Sequence, residues 1–142
     1  MIQLRGVSKI YPRRPEPVYA LRDLNFDVAD GEFVAVRGPS GCGKTTLLNL
    51  VGGLASPTSG TVVVAGEDLT AMSSAGRADF RTRKLGFVFQ LFHLLPYLTV
   101  IENVAAAARP GSDGRQRAKT FLERFGLGDR LGHRPAELSV GQ

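Results

Sequence analysis

The chain has 142 residues, 43% hydrophobic and 22% charged, the composition of a single soluble globular domain rather than a disordered chain. Its net charge of +5 is scattered, with compact basic groups only at Arg13-Arg14 and at Arg77, Arg81, Arg83 and Lys84, so it reads as solvated surface and no nucleic-acid partner is expected. No apolar stretch approaches the roughly 20 residues of a membrane span, the N-terminus lacks a signal-peptide layout, and the single cysteine, Cys42, excludes an internal disulfide; the expected location is the cytoplasm.

Residues 2–11 and 18–28 alternate like strands on either side of a proline-rich loop, Pro12-Arg13-Arg14-Pro15-Glu16-Pro17. Asp30-Gly31 signals a turn into Phe33-Val34-Ala35-Val36, short and apolar enough for a strand buried on both faces. Gly38-Pro39-Ser40-Gly41-Cys42-Gly43-Lys44-Thr45-Thr46 follows at once, and a helix is predicted from 44 to about 54.

That nonapeptide is a phosphate-binding loop. Between a strand and a helix, a glycine-rich turn lets successive backbone N–H groups point inward toward an anion, with the positive end of the helix dipole behind them. Glycine is required because a Cβ would block both the turn and the close approach. In the Gly-x-x-x-x-Gly-Lys-[Ser/Thr] pattern Lys44 reaches the terminal phosphates and the Thr45 hydroxyl ligates Mg²⁺.

Downstream, residues 56–60 read as a turn, 61–65 as a strand and 66–68 as a further turn. A polar helix is predicted over 74–84 and a strand over 85–89, ending at Gln90. Thr99 with Glu102 forms a Thr-x-x-Glu capping box ahead of a helix over 100–108, which Pro110-Gly111-Ser112 should break. A last helix over 115–125 places Ala118, Phe121, Leu122 and Phe125 on one face, with Gly126 as its cap. The reading is an α/β nucleotide-binding body over 1–89 and a helical part over 90–142.

The chain ends Leu138-Ser139-Val140-Gly141-Gln142. The phosphate loop, then Gln90, then this pentapeptide resembles the ATP-binding-cassette ATPases, whose signature is Leu-Ser-Gly-Gly-Gln. The resemblance covers the whole chain, including Gly60 and Gly66. Phe87-Val88-Phe89-Gln90, Leu94-Leu95-Pro96, Leu98-Thr99-Val100 and Glu102-Asn103-Val104 look most like the lipoprotein-release and macrolide-export type of cassette.

The fold this resemblance implies is a partial phosphate-loop NTPase domain of the α/β class, with an N-terminal antiparallel β region and a helical subdomain. The cofactors implied are ATP and Mg²⁺. Tyr11 would stack on adenine, while Gly38, Ser40, Gly41, Cys42, Gly43, Lys44, Thr45 and Thr46 would hold the phosphates, with Thr46 on the α-phosphate. Gln90 would complete the Mg²⁺ shell with Thr45 and, with Lys44, serve catalysis by helping to place the attacking water. Ser139, Gly141 and Gln142 would meet the nucleotide of a second copy across an ATP-sandwiched dimer, where Val140, in place of the usual glycine, would loosen closure. The apolar segment 91–98 resembles the lever that receives a short helix of a membrane-spanning permease subunit, with plain core packing an equal reading for Leu94 and Leu95; His93 is assigned no role. The implied activity is ATP hydrolysis coupled to transport, at the inner face of the cell membrane. A soluble cassette acting on ribosomes or DNA is the alternative.

In that family a second Mg²⁺-linked aspartate, a catalytic glutamate and a switch histidine follow the signature, on strands that lie between the phosphate-loop strand and the Gln90 strand. This chain reads as a fragment of a longer sequence, neither an active ATPase nor a well-folded monomer alone.

Overall fold

The computed structural model describes residues 1–108 and 113–139. The N-terminal alternation forms two long antiparallel strands, β1 (Ile2–Tyr11) and β2 (Val18–Val28). Leu4 and Val7 are both buried although three residues apart, because the register shifts between them. Gly6 donates its N–H to Asn25 Oδ1 at that irregularity, and the extra residue restores apolar side chains to the core face. On its other side β1 pairs with β3 (Ser59–Val64), and the short β4 (Glu67–Asp68) completes the order β2-β1-β3-β4. Gly60 has a φ of 86°, and a Cβ there would stand 2.4 Å from the Gly6 carbonyl oxygen, so only glycine lets β3 lie this close to β1.

Leu50 of α1 (Lys44–Val51) and Phe80 of α2 (Ser74–Lys84) join Leu4, Val7, Val62, Val64 and Leu69 in one core. Fully burying such side chains is worth about 1.5–3 kcal/mol each. The Ser73 hydroxyl caps α2 by accepting the Gly76 N–H.

The three arginines of α2 are held within the fold: Arg77 donates to the Met72 carbonyl, Arg81 to that of Gly53, and Arg83 pairs with Asp79 and Glu67. The hydrogen bonds that Arg83 donates to Asp79, then to Glu67, raise its pKa above the ordinary value. These guanidinium groups stitch α2 to its surroundings and into its own C-terminal turn.

Several predicted elements differ. Residues 33–36 and 85–89 are not strands: Phe33 is 96% exposed and Val88 fully so. A strand buried on both faces needs neighbours to satisfy its N–H and C=O groups, and no strand among the described residues pairs with either run. The helix predicted to about 54 ends at Val51, where Gly52-Gly53 follow and the N–H groups of Leu54 and Ala55 both turn back to the Asn49 carbonyl. Glu67 and Asp68, read as part of a turn, pair with Val64 and Val63 because Ala65-Gly66 suffice to reverse the chain.

The backbone divides into two compact units, Met1–Gly86 and Phe87–Gln142. The second is built on α3 (Val100–Ala106) and α4 (Gly114–Arg124), with Val100, Ile101, Ala118 and Leu122 as its core and 3-10 turns at Gly128–Arg130 and Pro135–Glu137. The predicted face of α4 is half right. Ala118 and Leu122 are buried, whereas Phe121 is exposed and Phe125 is 76% exposed. Gly126, at φ 73°, turns the chain back so that the Leu127 N–H reaches the Leu122 carbonyl, and Leu127 and Leu131 fill the place expected for the phenylalanines. The predicted helix break at Pro110-Gly111-Ser112 lies outside the described residues.

The capping box of α3 forms as read. Glu102 accepts from the Thr99 N–H at 2.8 Å and from its hydroxyl at 2.7 Å, while the Glu102 N–H reaches the same hydroxyl. The backbone bond to Thr99, then the hydroxyl bond, hold the Glu102 carboxyl below its ordinary pKa. A depressed folded pKa stabilises above the unfolded value, about 4.3, and the contribution is lost as pH falls through the folded value. In the full-length protein, Glu102→Gln should lower the urea midpoint at pH 7, and the gap from wild type should close below about pH 4. A gap that is independent of pH would show that the carboxylate charge plays no part.

Candidate functional site

Residues 38–46 form a loop that closes on the start of α1. Gly38, Gly41 and Gly43 have φ of 155°, 80° and 94°, the last two in the left-handed region where a side chain is strained. At Gly43 the space is closed as well: a Cβ would lie 2.3 Å from the Ala20 carbonyl oxygen and 3.0 Å from Leu21 Cδ2. Strand β2 therefore fixes the loop from behind.

Gly43 is the N-cap of α1 and supplies no side-chain cap. The first intrahelical bond runs from the Leu47 N–H to the Gly43 carbonyl, and the amides of Lys44, Thr45 and Thr46 reach no acceptor among the described residues. They form a cluster of free donors at the positive end of the helix, suited to an anion with several oxygens. Lys44 bends over the loop: Nζ donates to the carbonyls of Gly38 at 2.8 Å and Pro39 at 2.7 Å, and lies 3.7 Å from Cys42 Sγ. Its ammonium is thereby poised where it can exchange carbonyl oxygens for phosphate oxygens. The Thr45 side chain is exposed, so its hydroxyl is accessible to a hydrated cation. Ser40 is exposed in the same turn.

Tyr11 closes β1, is 40% exposed, and pairs with Val18. Val18 is two residues from Ala20, about 7 Å along the strand, and the Ala20 carbonyl abuts Gly43. The aromatic ring and the loop are thus referenced to the same strand. Lys9, which sequence reasoning passed over, places Nζ 5.1 Å from the Tyr11 ring centre and donates to the Ser56 carbonyl at 2.7 Å, just beyond α1. A lysine two residues before an aromatic on one strand face was the available signal.

Gln90 and Ser139 belong to the second unit, and both are exposed. Ser139 follows Leu138, which packs on the Val100 and Leu122 core. Val140, Gly141 and Gln142 lie outside the described residues. His93, at φ 51°, stands edge-on to Phe89 with ring centres 5.2 Å apart. Among the described residues no cluster of His, Cys, Asp and Glu could hold a metal by itself, and no helix is long and apolar enough to cross a membrane.

Cys42 is exposed, and its sulfur lies against Gly38, where a Cβ would come within 2.7 Å of Sγ. A ligand seated in the loop should shield it. Saturating MgATP is expected to slow maleimide labelling of Cys42 at least about fivefold; equal rates with and without nucleotide would place the ligand elsewhere.

A glycine turn, uncapped helix amides and a lysine folded across them define a phosphate-loop protein of the α/β class. The family model described as "ABC transporter" matches residues 21–142. The chain belongs to the ABC transporter family. It is 47% identical to the lipoprotein-releasing system ATP-binding protein LolD of Pseudomonas fluorescens, over 100% of this chain and 64% of that protein. It is 43% identical to the macrolide export ATP-binding/permease protein MacB 1/2 of Paracoccus denitrificans, again over 100% of this chain but 22% of the relative. Among solved structures it superposes, with a TM-score of 0.85 and 38% identity, on the dimeric ATP-binding cassette MJ0796 bound to ADP and Pi, covering 100% of this chain and 65% of that one. The chain thus spans just under two thirds of the LolD and MJ0796 chains it matches.

Proposed function

We propose that this chain is the ATP-binding part of a transporter, coupling ATP binding and hydrolysis to movement of a substrate through a membrane-spanning permease partner. The observation that carries the proposal is the start of α1, where the free amides of Lys44, Thr45 and Thr46 and the Lys44 ammonium converge on one loop. In this reading Tyr11 stacks on adenine. Gly38, Ser40, Gly41, Cys42, Gly43 and Thr46 shape the phosphate cradle, and Lys44 takes the terminal phosphates.

Thr45 and Gln90 would hold Mg²⁺, which when bound offsets charge on the transferring phosphoryl group. The exposed Thr45 hydroxyl beside the free amides fits that role. Gln90 also orients the attacking water. Ser139, Gly141 and Gln142 contact the nucleotide of a second copy, and the dimeric form of MJ0796 supports such a pairing. The lipoprotein-release and macrolide-export relatives favour transport over work on ribosomes or DNA. In the cell the protein would sit peripherally on the inner face of the membrane.

The test is assembly. Full-length protein co-expressed with a membrane subunit, sought among the neighbouring genes, should co-purify with it in detergent, and the complex should hydrolyse ATP in a Mg²⁺-dependent way. Active ATPase that never associates with a membrane subunit, but sediments with ribosomes, would reverse the choice between transport and the soluble alternative.

A further inference from the structure

The Tyr11 ring has little packing to hold it. Tyr11 is the last residue of β1, its ladder partner Val18 is exposed like itself, and the proline-rich loop between them is exposed throughout. A ring that receives a nucleobase works best when it is oriented beforehand, since ordering it on binding opposes affinity. One side chain supplies that orientation. Lys9 stands two residues earlier on β1 and so on the same face. Its Nζ lies over the Tyr11 ring, 5.1 Å from the centre. An ammonium is drawn to the negative face of an aromatic ring, and by occupying one face it leaves the other for a base.

The ammonium is itself pinned. It donates to the Ser56 carbonyl at 2.7 Å, and Ser56 belongs to a segment fixed on both sides. Before it, the Ala55 N–H bonds to the Asn49 carbonyl of α1. After it, the Thr58 N–H bonds to the Ser8 carbonyl at 2.8 Å, and the Ile10 N–H donates to the Thr58 hydroxyl at 3.0 Å. Ser8 and Ile10 thus hold this segment from either side of Lys9, through bonds that do not involve the lysine side chain. A continuous series of contacts runs from α1, whose first amides are free for phosphates, through the Ser56 carbonyl and the Lys9 ammonium to the Tyr11 ring.

We propose that Lys9 is a positioning residue that holds the Tyr11 ring as the platform for the base of the nucleotide whose phosphates occupy the loop. This rests on the reading of Tyr11 as the adenine-stacking residue and adds the group that fixes the ring. Removing the ammonium should leave the fold in place, because both bonds to Thr58 remain.

The experiment compares the full-length wild type with Lys9→Met, Lys9→Arg, Tyr11→Ala and the double variant of Lys9→Met with Tyr11→Ala. Each is titrated with MgATP and with magnesium tripolyphosphate, which carries the phosphates without a base. Lys9→Met keeps the aliphatic stem and loses the charge; it should weaken MgATP binding about three- to fivefold and leave tripolyphosphate binding within about 1.5-fold. Lys9→Arg, which retains a cation and a donor, should restore MgATP affinity. Tyr11→Ala should weaken MgATP about tenfold, and adding Lys9→Met to it should weaken it no further. Equal losses for the two ligands in Lys9→Met would overturn the proposal, because the ammonium would then act through α1 and not through the ring. A fully additive loss in the double variant would overturn it as well. Undiminished MgATP affinity in Tyr11→Ala would remove the adenine reading itself, whereas a weakened Tyr11→Ala beside an unchanged Lys9→Met would remove only the role given to Lys9.

Discussion

Lys44→Ala in the full-length protein is expected to weaken MgATP binding by about 10- to 150-fold, the equivalent of one charge-assisted hydrogen bond worth about 1.5–3 kcal/mol. The fold should survive. The Lys44 ammonium binds the Gly38 and Pro39 carbonyls and lies by Cys42 Sγ, in a loop exposed to water, so its removal leaves no buried group unsatisfied. Binding and stability thus separate in this variant: isothermal titration should show the lost affinity while the unfolding midpoint stays put. Unchanged affinity would mean that the ammonium never leaves its carbonyl partners for the phosphates. A collapse of the unfolding midpoint would mean that Lys44 is structural.

The second large effect concerns the apolar runs at 33–36 and 85–89. Phe33, Val34, Val36, Phe87, Val88 and Phe89 are exposed, and each would contribute roughly 1.5–3 kcal/mol if buried. Together that is on the order of 10 kcal/mol, comparable with the entire stability of an ordinary domain. Residues 1–142 expressed alone should therefore aggregate, or melt over a broad range, because these runs offer unpaired N–H and C=O groups beside sticky side chains. A chain carrying the additional length found in the LolD and MJ0796 relatives should be soluble and melt sharply. A narrow two-state transition from residues 1–142, with ATP hydrolysis, would defeat this account of the two runs.

Those same runs show where sequence reasoning reaches its limit. The pattern Phe33-Val34-Ala35-Val36 is locally a strand, but a strand is a property of a pair, and periodicity says nothing of whether a neighbour is present. The strands β1 and β2 were legible because each supplies the other's partner across a short loop, with the proline run marking the loop. Caps were legible for the same local reason: Thr99 with Glu102 and Gly126 act within one turn of their own helices.

The glycine turn over 38–46 was legible for a partly local reason. Gly43 needs glycine for its own φ, whereas the Ala20 carbonyl that it faces comes from β2 and is placed only by the fold. Lys9 beside Tyr11 left a faint trace in its spacing, but its bond to the Ser56 carbonyl depends on a position that only the folded chain defines. Nor did the sequence show that Leu127 and Leu131 would displace Phe121 and Phe125 from the second core, a competition among apolar residues that helical spacing alone does not resolve.

The central claim is that phosphates bind at the uncapped start of α1. Its most direct test is backbone amide exchange over residues 38–46 of the full-length protein, measured with and without saturating MgATP. The N–H groups of Lys44, Thr45 and Thr46 have no acceptor among the described residues, so they should exchange rapidly in the free protein and slow at least about tenfold when nucleotide occupies the loop. Bound MgATP that leaves these three amides exchanging at the free rate would contradict the claim.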